Sequence, residues 1–152
     1  MAYYLGIDPG QKGALAVVDE QGKAIALHDM PSNSKQTVAL IESFPSISRA
    51  AIEKPFPGDK MGKIQCLTFG MDIGDLRGIL LARYIPFCMV KPQDWQRVFG
   101  VTGKSRGNDS IGQCLKLYPN APLIVNSKRM DGRSDALLIA RWVWRQELAR
   151  SA

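Results

Sequence analysis

Apolar and polar positions along the chain change period several times, and each change marks an element. Tyr3–Ile7 is a short apolar run that stops at Asp8-Pro9-Gly10, a turn signal. Ala14–Asp19 and Ala24–His28 read as two further strands, with Gln21-Gly22-Lys23 between them as a tight hairpin turn. Over Gln36–Phe44 the period lengthens: Val38, Leu40, Ile41 and Phe44 fall at helical spacing, and Pro45 ends the helix. Ala50-Ala51-Ile52 is a fourth strand, stopped by Pro55 and Pro57. A longer helix covers about Lys63–Arg83, Ile85–Val90 is a fifth strand, and a helix opened by Pro92 runs to about Phe99. Gly100–Gly107 reads as a mobile basic loop, Asp109–Tyr118 as a helix and Ser134–Ala149 as the last one.

Three strands in a meander followed by alternating helices and strands predict an α/β fold: a five-stranded mixed sheet flanked by helices, in one domain over residues 1–152. The order is that of a ribonuclease H-like fold, although the pattern alone admits other α/β arrangements. A chain of this length buries one sizeable core and is too short for two ordinary domains. No apolar run approaches the roughly 20 residues that span a bilayer, and the first residues lack the profile of a secretory signal, so no membrane partner is expected. Cys66, Cys88 and Cys114 are far apart and odd in number, which argues against a disulfide framework or zinc site. They are expected as small core hydrophobes in a reducing, cytoplasmic compartment.

Charge adds a partner. Lys and Arg outnumber Asp and Glu by 20 to 14, a net +6 that favours a polyanion. The excess gathers in Lys54–Lys63, Arg97–Arg106 and Lys128–Arg133, stretches rich in loop formers. In the first, prolines stiffen the loop, glycines let backbone approach a ligand, and Lys54, Lys60 and Lys63 can meet phosphates. Phe56, held between prolines, can stack on an unpaired base or tuck into the core. Lys104 and Arg106 supply a strip that can track a nucleic-acid backbone. The Gly103-Lys104-Ser105 within that strip lacks the earlier glycine of a nucleotide-binding loop, because Val98 stands there, so no nucleotide cofactor is expected.

The candidate chemistry lies in four acids placed where elements end: Asp8 after the first strand, Glu53 after the fourth, and Asp131 and Asp135 around the start of the last helix. A helix beginning near Asp131 stacks the last two on one face. Adjacent first and fourth strands bring Asp8 and Glu53 to the same sheet edge. Four clustered carboxylates repel and hold protons unless cations neutralise them, and Mg²⁺ prefers such oxygen ligands. Two ions about 3.5–4 Å apart suffice for phosphodiester hydrolysis without a histidine. His28 stands alone on a strand, as a packing or surface residue. Each acid also has a plain structural reading: an Asx turn for Asp8, a helix cap or a first-turn anion favoured by the helix dipole for Asp131 or Asp135, and an ion pair with Lys54 or another basic side chain for Glu53.

The chain resembles the RuvC-like Holliday junction resolvases, particularly their phage and organellar branches. The matching pieces are Gly6-Ile7-Asp8-Pro9-Gly10 with Gly13-Ala14, Ile52-Glu53-Lys54-Pro55-Phe56, Val90-Lys91-Pro92-Gln93-Asp94-Trp95, and Asp131-Gly132-Arg133-Ser134-Asp135-Ala136-Leu137. The resemblance implies a ribonuclease H-like fold and a homodimer. It implies symmetric nicking of four-way branched DNA, with two Mg²⁺ (or Mn²⁺) per active site held by Asp8, Glu53, Asp131 and Asp135 as the catalytic set. Phe56 matches an aromatic used against junction bases. The late acids stand four apart where bacterial RuvC has three, and Asn108-Asp109 replaces the lysine that often opens the helix after the basic loop. Lys104 or Arg106 is left as the source of that charge.

Other readings keep part of this picture. A ribonuclease H-like nuclease acting on structured RNA retains the acids and changes the substrate. A non-catalytic branched-DNA-binding protein retains only the basic surface. The sugar-kinase and actin superfamily shares the opening strand with Gly-x-Asp-x-Gly but needs a second nucleotide-binding domain. Finally, Gly70, Gly74, Gly78 and Ala82 recur every fourth residue of the long helix, either to let it lie close on its own sheet or to make a dimer contact. Trp142 and Trp144 face different sides of the last helix, so at least one is expected in the core.

Overall fold

A computed structural model describes residues 1–152 except Pro57 and Lys104. Its elements are β1 (Tyr3–Asp8), β2 (Ala14–Val18), β3 (Ala24–Asp29), α1 (Ser34–Glu42), β4 (Ile47–Glu53), α2 (Lys63–Ala82), β5 (Phe87–Val90), α3 (Pro92–Phe99), α4 (Ser110–Leu117), β6 (Ile124–Val125), β7 (Lys128–Arg129) and α5 (Asp131–Ser151). The main sheet has the order β3-β2-β1-β4-β5. Strands β1, β2 and β3 pair antiparallel, whereas β4 joins β1, and β5 joins β4, in parallel. This is the mixed five-stranded sheet with flanking helices that the sequence predicts.

Side chains alternate across a strand, so each strand serves two cores. On one face Leu5, Ile7, Leu15, Val17, Ala50 and Ile52 pack under α1 and α2. On the other, Ala14, Ala16, Val18, Ala51 and Val90 meet α3, α4 and α5. The second face is paved with small residues, and at Gly6 it has no side chain at all. A Cβ there would stand 2.2 Å from Ala136 O and from Ala140 N, so α5 lies with its backbone against β1. Gly132 repeats the device at the helix start, where a Cβ would meet Lys12 O at 2.2 Å. The buried run Ser134, Ala136–Ala140 and Val143 follows from that contact.

The differences from the sequence reading have local causes. Helix α1 starts at Ser34 because Asn33 caps it, its side chain accepting the Gln36 N–H. Strand β4 is longer than its apolar centre, starting at Ile47 and running through Arg49, because pairing with β1 carries the polar residue along. Strand β5 starts at Phe87 rather than Ile85, after Tyr84 adopts a positive φ of 54°. Helix α5 begins at Asp131, a turn earlier than its apolar pattern suggests. A small hairpin, β6–β7, occupies what reads as part of a basic loop; its turn residues Asn126 and Ser127 have φ of 49° and 63°. Of the cysteines only Cys114 is fully buried, while Cys66 and Cys88 are half-buried, a correction to their expected place in the core. His28 is exposed on β3. Trp142 and Trp144 are both half-buried against the α5 core, with the Trp144 indole donating to Glu20 O at 3.0 Å.

Among the described residues, no helix is long and apolar enough to cross a membrane.

Candidate functional site

Register and face parity decide where the acids go. Ile7 pairs with Ile52, so Asp8 and Glu53 are the next residues of two neighbouring parallel strands. Asp8 shares its side of β1 with Gly6, and Glu53 its side of β4 with Ala51, so both carboxylates emerge on the face that α5 covers. Asp135 lies one residue before Ala136, whose carbonyl a Cβ at Gly6 would strike. The glycine therefore does more than fit a helix: it brings the Asp135 carboxylate down to the strand ends.

The electrostatics register that proximity. Asp8 is pushed up from 3.8 to about 8, first by burial and then by the charges of Asp135 and Glu53. Asp135 is pushed up to about 7 by burial, and the charges of Glu53 and Asp131 add to this. A hydrogen bond from Ser110, whose hydroxyl lies 2.8 Å from Ser134 Oγ, works the other way. Burial also raises Glu53, against a hydrogen bond from Trp95 that favours its anion. Three of the four predicted acids, each half-buried, thus meet at one locus, where Asp135 and Glu53 hinder the ionisation of Asp8, and Glu53 hinders that of Asp135. Asp131 is exposed at the rim of this group, one turn before Asp135, and acts on it through its charge.

One plain structural reading of these acids holds, since Asp131 is an anion in the first turn of α5, where the helix dipole favours it; the others find no support. Met130, without a side-chain cap bond, precedes the first turn of α5, so neither Asp131 nor Asp135 is the cap. Among the described residues no backbone N–H reaches the Asp8 carboxylate, and Glu53 has no ion pair with Lys54. The capping role instead belongs to Asp109, which accepts the Gly112 N–H at 2.8 Å and pairs with Arg129.

Whether this set suits a divalent cation rests on its chemistry. Buried carboxyl oxygens, mutually repelling and with no basic side chain paired to them among the described residues, form a hard, anionic donor set that a Mg²⁺ ion would neutralise. Among the described residues, no three His, Cys, Asp or Glu side chains are already drawn tightly enough to hold an ion. The carboxylates fit a hard cation in the type of their donor atoms.

The surroundings divide into two loops. Lys54 continues directly from Glu53, its N–H bonded to Val90 O at 2.7 Å, and leads into the loop of Lys60 and Lys63. All three lysines are exposed. Phe56 is 87% exposed, which removes the reading that tucks it into the core. Arg106 is exposed on the loop between α3 and α4, and Lys104 lies outside the described residues. The Gln113 side chain ties that loop at both ends, donating to Gly100 O and Gly107 O. Four residues near the acids were not assigned to the site from the sequence. Lys91, beside Val90, and Lys12, over the start of α5, are exposed cations flanking the acids. Ser110 and Trp95 contact them, and Trp95 was findable in principle, because a core indole requires an acceptor for its N–H.

Compared by sequence, the chain matches no protein-family model and none of the curated proteins. Compared by structure it has clear neighbours. The T. thermophilus RuvC in complex with a Holliday junction substrate superposes with a TM-score of 0.66 at 15% identity, over 100% of this chain and 97% of that one. Thermus thermophilus RuvC gives 0.63 at 16% identity, over 97% and 96%. The yeast mitochondrial Holliday junction resolvase gives 0.55 at 18%, over 96% of this chain and 81% of its own. At these identities the likeness shows the fold, which is ribonuclease H-like and of the RuvC kind.

Proposed function

We propose that the protein is a structure-selective DNA endonuclease that resolves four-way junctions by divalent-metal-dependent hydrolysis, nicking symmetrically as a homodimer. The observation that carries this is the gathering of Asp8, Glu53 and Asp135, from two strand ends and one helix, into a half-buried group in which Glu53 and Asp135 hinder the ionisation of Asp8, and Glu53 that of Asp135. Such a group is destabilising for its own sake and suits a cation. Its position on a RuvC-like fold, with a neighbour bound to a Holliday junction substrate, points to branched DNA.

In this reading Asp8, Glu53 and Asp135 hold Mg²⁺ or Mn²⁺, with Asp131 joining from the rim. Two such ions would supply activation of the attacking water and stabilisation of the leaving oxygen. The chain's own residues do the rest. Lys54, Lys60, Lys63 and Arg106, with Lys104, grip phosphates on either side of the scissile strand, which makes binding fall with salt. Phe56, exposed beside Glu53, stacks on a base at the junction centre.

The homodimer rests on α2. Its inner side buries Ile73, Leu76 and Leu80, yet Ile64, Leu67, Met71, Gly74, Gly78 and Leu81 are exposed in an alternating three- and four-residue spacing. That spacing is the seam of a paired helix. A Cβ at Gly70, Gly74 or Gly78 would meet nothing within 4 Å, so these glycines do not lie against the protein's own sheet. A second α2 fits the bare stripe, its backbone approaching most closely at Gly74 and Gly78.

The deciding experiment incubates the protein with an end-labelled synthetic four-way junction, with Mg²⁺ and with EDTA. A matched duplex and a structured RNA run alongside. Paired nicks in the junction with Mg²⁺ alone are expected. RNA cleavage instead would redirect the reading to a ribonuclease, and tight junction binding without nicking would leave a non-catalytic binder.

A further inference from the structure

Glu53 is the one acid of the cluster with a donor buried in the hydrophobic core. Trp95 has no exposed surface, and its Nε1–H donates to Glu53 Oε2 at 2.6 Å, shorter than an ordinary N–H···O bond and in keeping with an anionic acceptor. The local chain is built to deliver it. Glu53 pairs with Val90 at the end of β5, Lys91 precedes the helix, and Pro92 opens α3 with its φ already set. Trp95 then lies one turn into α3, its ring in the same core as Val90, Ile111, Cys114 and Leu137. An indole has one donor and no acceptor, and it does not titrate near neutrality. It can therefore act on Glu53 only by orienting it and by favouring its anion against the cost of burial. Among the described residues Oε1 has no hydrogen-bond partner, so one oxygen is committed and the other is left to the cleft.

The geometry points to Trp95 as a positioning residue that turns Glu53 so that only Oε1 is presented to a cation shared with Asp8 and Asp135. This rests on the nuclease reading for its purpose, but its physical content is a contact between an indole and a cation-binding carboxylate. Ser110 stands in a similar relation to Asp135 from α4, but its hydroxyl rotates and has a second neighbour in Ser134. The indole is fixed by the packing around it, so its direction is not adjustable.

The test uses the three indole N–H signals of the full chain in proton–nitrogen correlation spectra. Trp95→Phe identifies the Trp95 signal by its loss, and Trp142 and Trp144 serve as internal references. We expect the Trp95 proton downfield of the other two, moved by Glu53→Gln, and moved saturably by added Mg²⁺. Trp95→Phe, which retains most of the ring volume, should weaken Mg²⁺ binding measured by calorimetry by about 10–100-fold, the usual loss when a ligand's orienting partner is removed. Its kcat on a junction should fall in step while KM for the DNA stays near the parent's. A Trp95 signal indifferent to Glu53→Gln or to Mg²⁺ would overturn the proposal, as would a folded Trp95→Phe with the parent's Mg²⁺ affinity. Should Trp95→Phe not fold, selective labelling with Trp142→Phe and Trp144→Phe assigns the signal, and Glu53→Gln still decides. If the parent cleaves no junction yet its Trp95 signal follows Mg²⁺, the nuclease reading fails and this one stands. If the parent cleaves and Trp95→Phe cleaves equally well, the reverse holds.

Discussion

The two faces of the sheet are built from residues of opposite size. Under α1 and α2 the strands offer Leu5, Ile7, Leu15, Val17 and Ile52; under α5 they offer Gly6, Ala14, Ala16 and Ala51. Large side chains hold a helix at a distance and fill the gap with hydrocarbon, which is good for stability and places nothing polar near the strands. Small ones let a helix backbone descend, and with it whatever the helix carries at its first turn. The candidate chemistry is on the small-residue face because only there can a helical carboxylate reach strand-end carboxylates. The large-residue face leaves the outside of α2 bare, and the proposed partner is a second copy.

The sharpest way to break that contrast is at Asp135. On the proposed nuclease reading, Asp135→Asn removes a cation ligand without removing a phosphate contact, so nicking should fall by more than about a hundredfold while junction binding by gel shift persists. The same change removes one repelling charge from a buried group, so the metal-free variant should melt higher than the parent near neutral pH. Parental cleavage, or a lower melting temperature, would take Asp135 out of the site.

A matched pair of glycine substitutions tests the two faces directly. At Gly6 a Cβ has backbone atoms at 2.2 Å that cannot step aside, so Gly6→Val should cost more than about 3 kcal/mol and abolish cation binding. At Gly78 nothing stands within 4 Å, so Gly78→Leu should leave the circular dichroism spectrum unchanged. It should instead shift sedimentation toward monomer and reduce paired nicking, since each strand of a junction needs its own active site. A stable Gly6→Val would refute the close approach of α5. A Gly78→Leu that remains dimeric would move the interface elsewhere.

Much of this was legible in the sequence, and what was not has physical reasons. The strand order followed from a meander and then alternation, and the acids stood out because Asp8 and Glu53 terminate apolar runs. Parity was harder. Which face Asp8 occupies depends on Gly6, and a glycine in a strand does not say which helix will lie against it. The start of α5 was set late because Asp131-Gly132-Arg133 carries no apolar periodicity; tertiary contact at Gly132 and the bidentate Arg133–Asp29 pair extend the helix there. Trp95 enters the sequence reading only within the Val90–Trp95 motif, because hydrophobic periodicity registers its ring and not its N–H. The glycines of α2 were ambiguous until their surroundings were known, since the same spacing serves a buried or an exposed ridge.

A smaller effect should follow pH. Folded Asp8 and Asp135 ionise near 8 and 7, whereas both have ordinary values of 3.8 when exposed in the unfolded chain. Between those limits the unfolded chain has released protons that the folded one retains, so stability declines as pH rises. The stabilisation by neutral carboxyls is full below about pH 4 and lost as pH climbs through 7 to 8. The metal-free protein should therefore melt lower at pH 8 than at pH 5, and Asp8→Asn should flatten the slope. Mg²⁺ should raise the melting temperature more at pH 8 than at pH 5, because protons compete with it for the same oxygens. A parent that gains stability across this range, with Asp8→Asn unchanged in slope, would mean the acids are not buried together.

The smallest effect is expected off both faces, at Phe56, and it asks whether chemistry and selectivity are separate. On the proposed nuclease reading, cations held by the acids would act on any phosphodiester placed against them, so preference for a branched substrate has to come from another contact. Phe56 is 87% exposed and three residues beyond Glu53, in a loop where Pro55 limits the freedom it would lose on binding. Its removal should leave the melting temperature unchanged, because it contributes little to either core. Bases at a junction's centre unpair more readily than duplex bases, and stacking on a side chain, worth about 1–3 kcal/mol, helps offset the distortion. Phe56→Ala should thus slow cleavage of an intact four-way junction by about tenfold, the lower part of that stacking range. A junction already opened by unpaired bases at its centre should be cut almost as fast by the variant as by the parent, since the distortion no longer has to be offset. Equal losses on both substrates would assign Phe56 to general DNA binding beside Lys54 and Lys60. Equal rates on both would leave selectivity to the spacing of two active sites across the α2 interface.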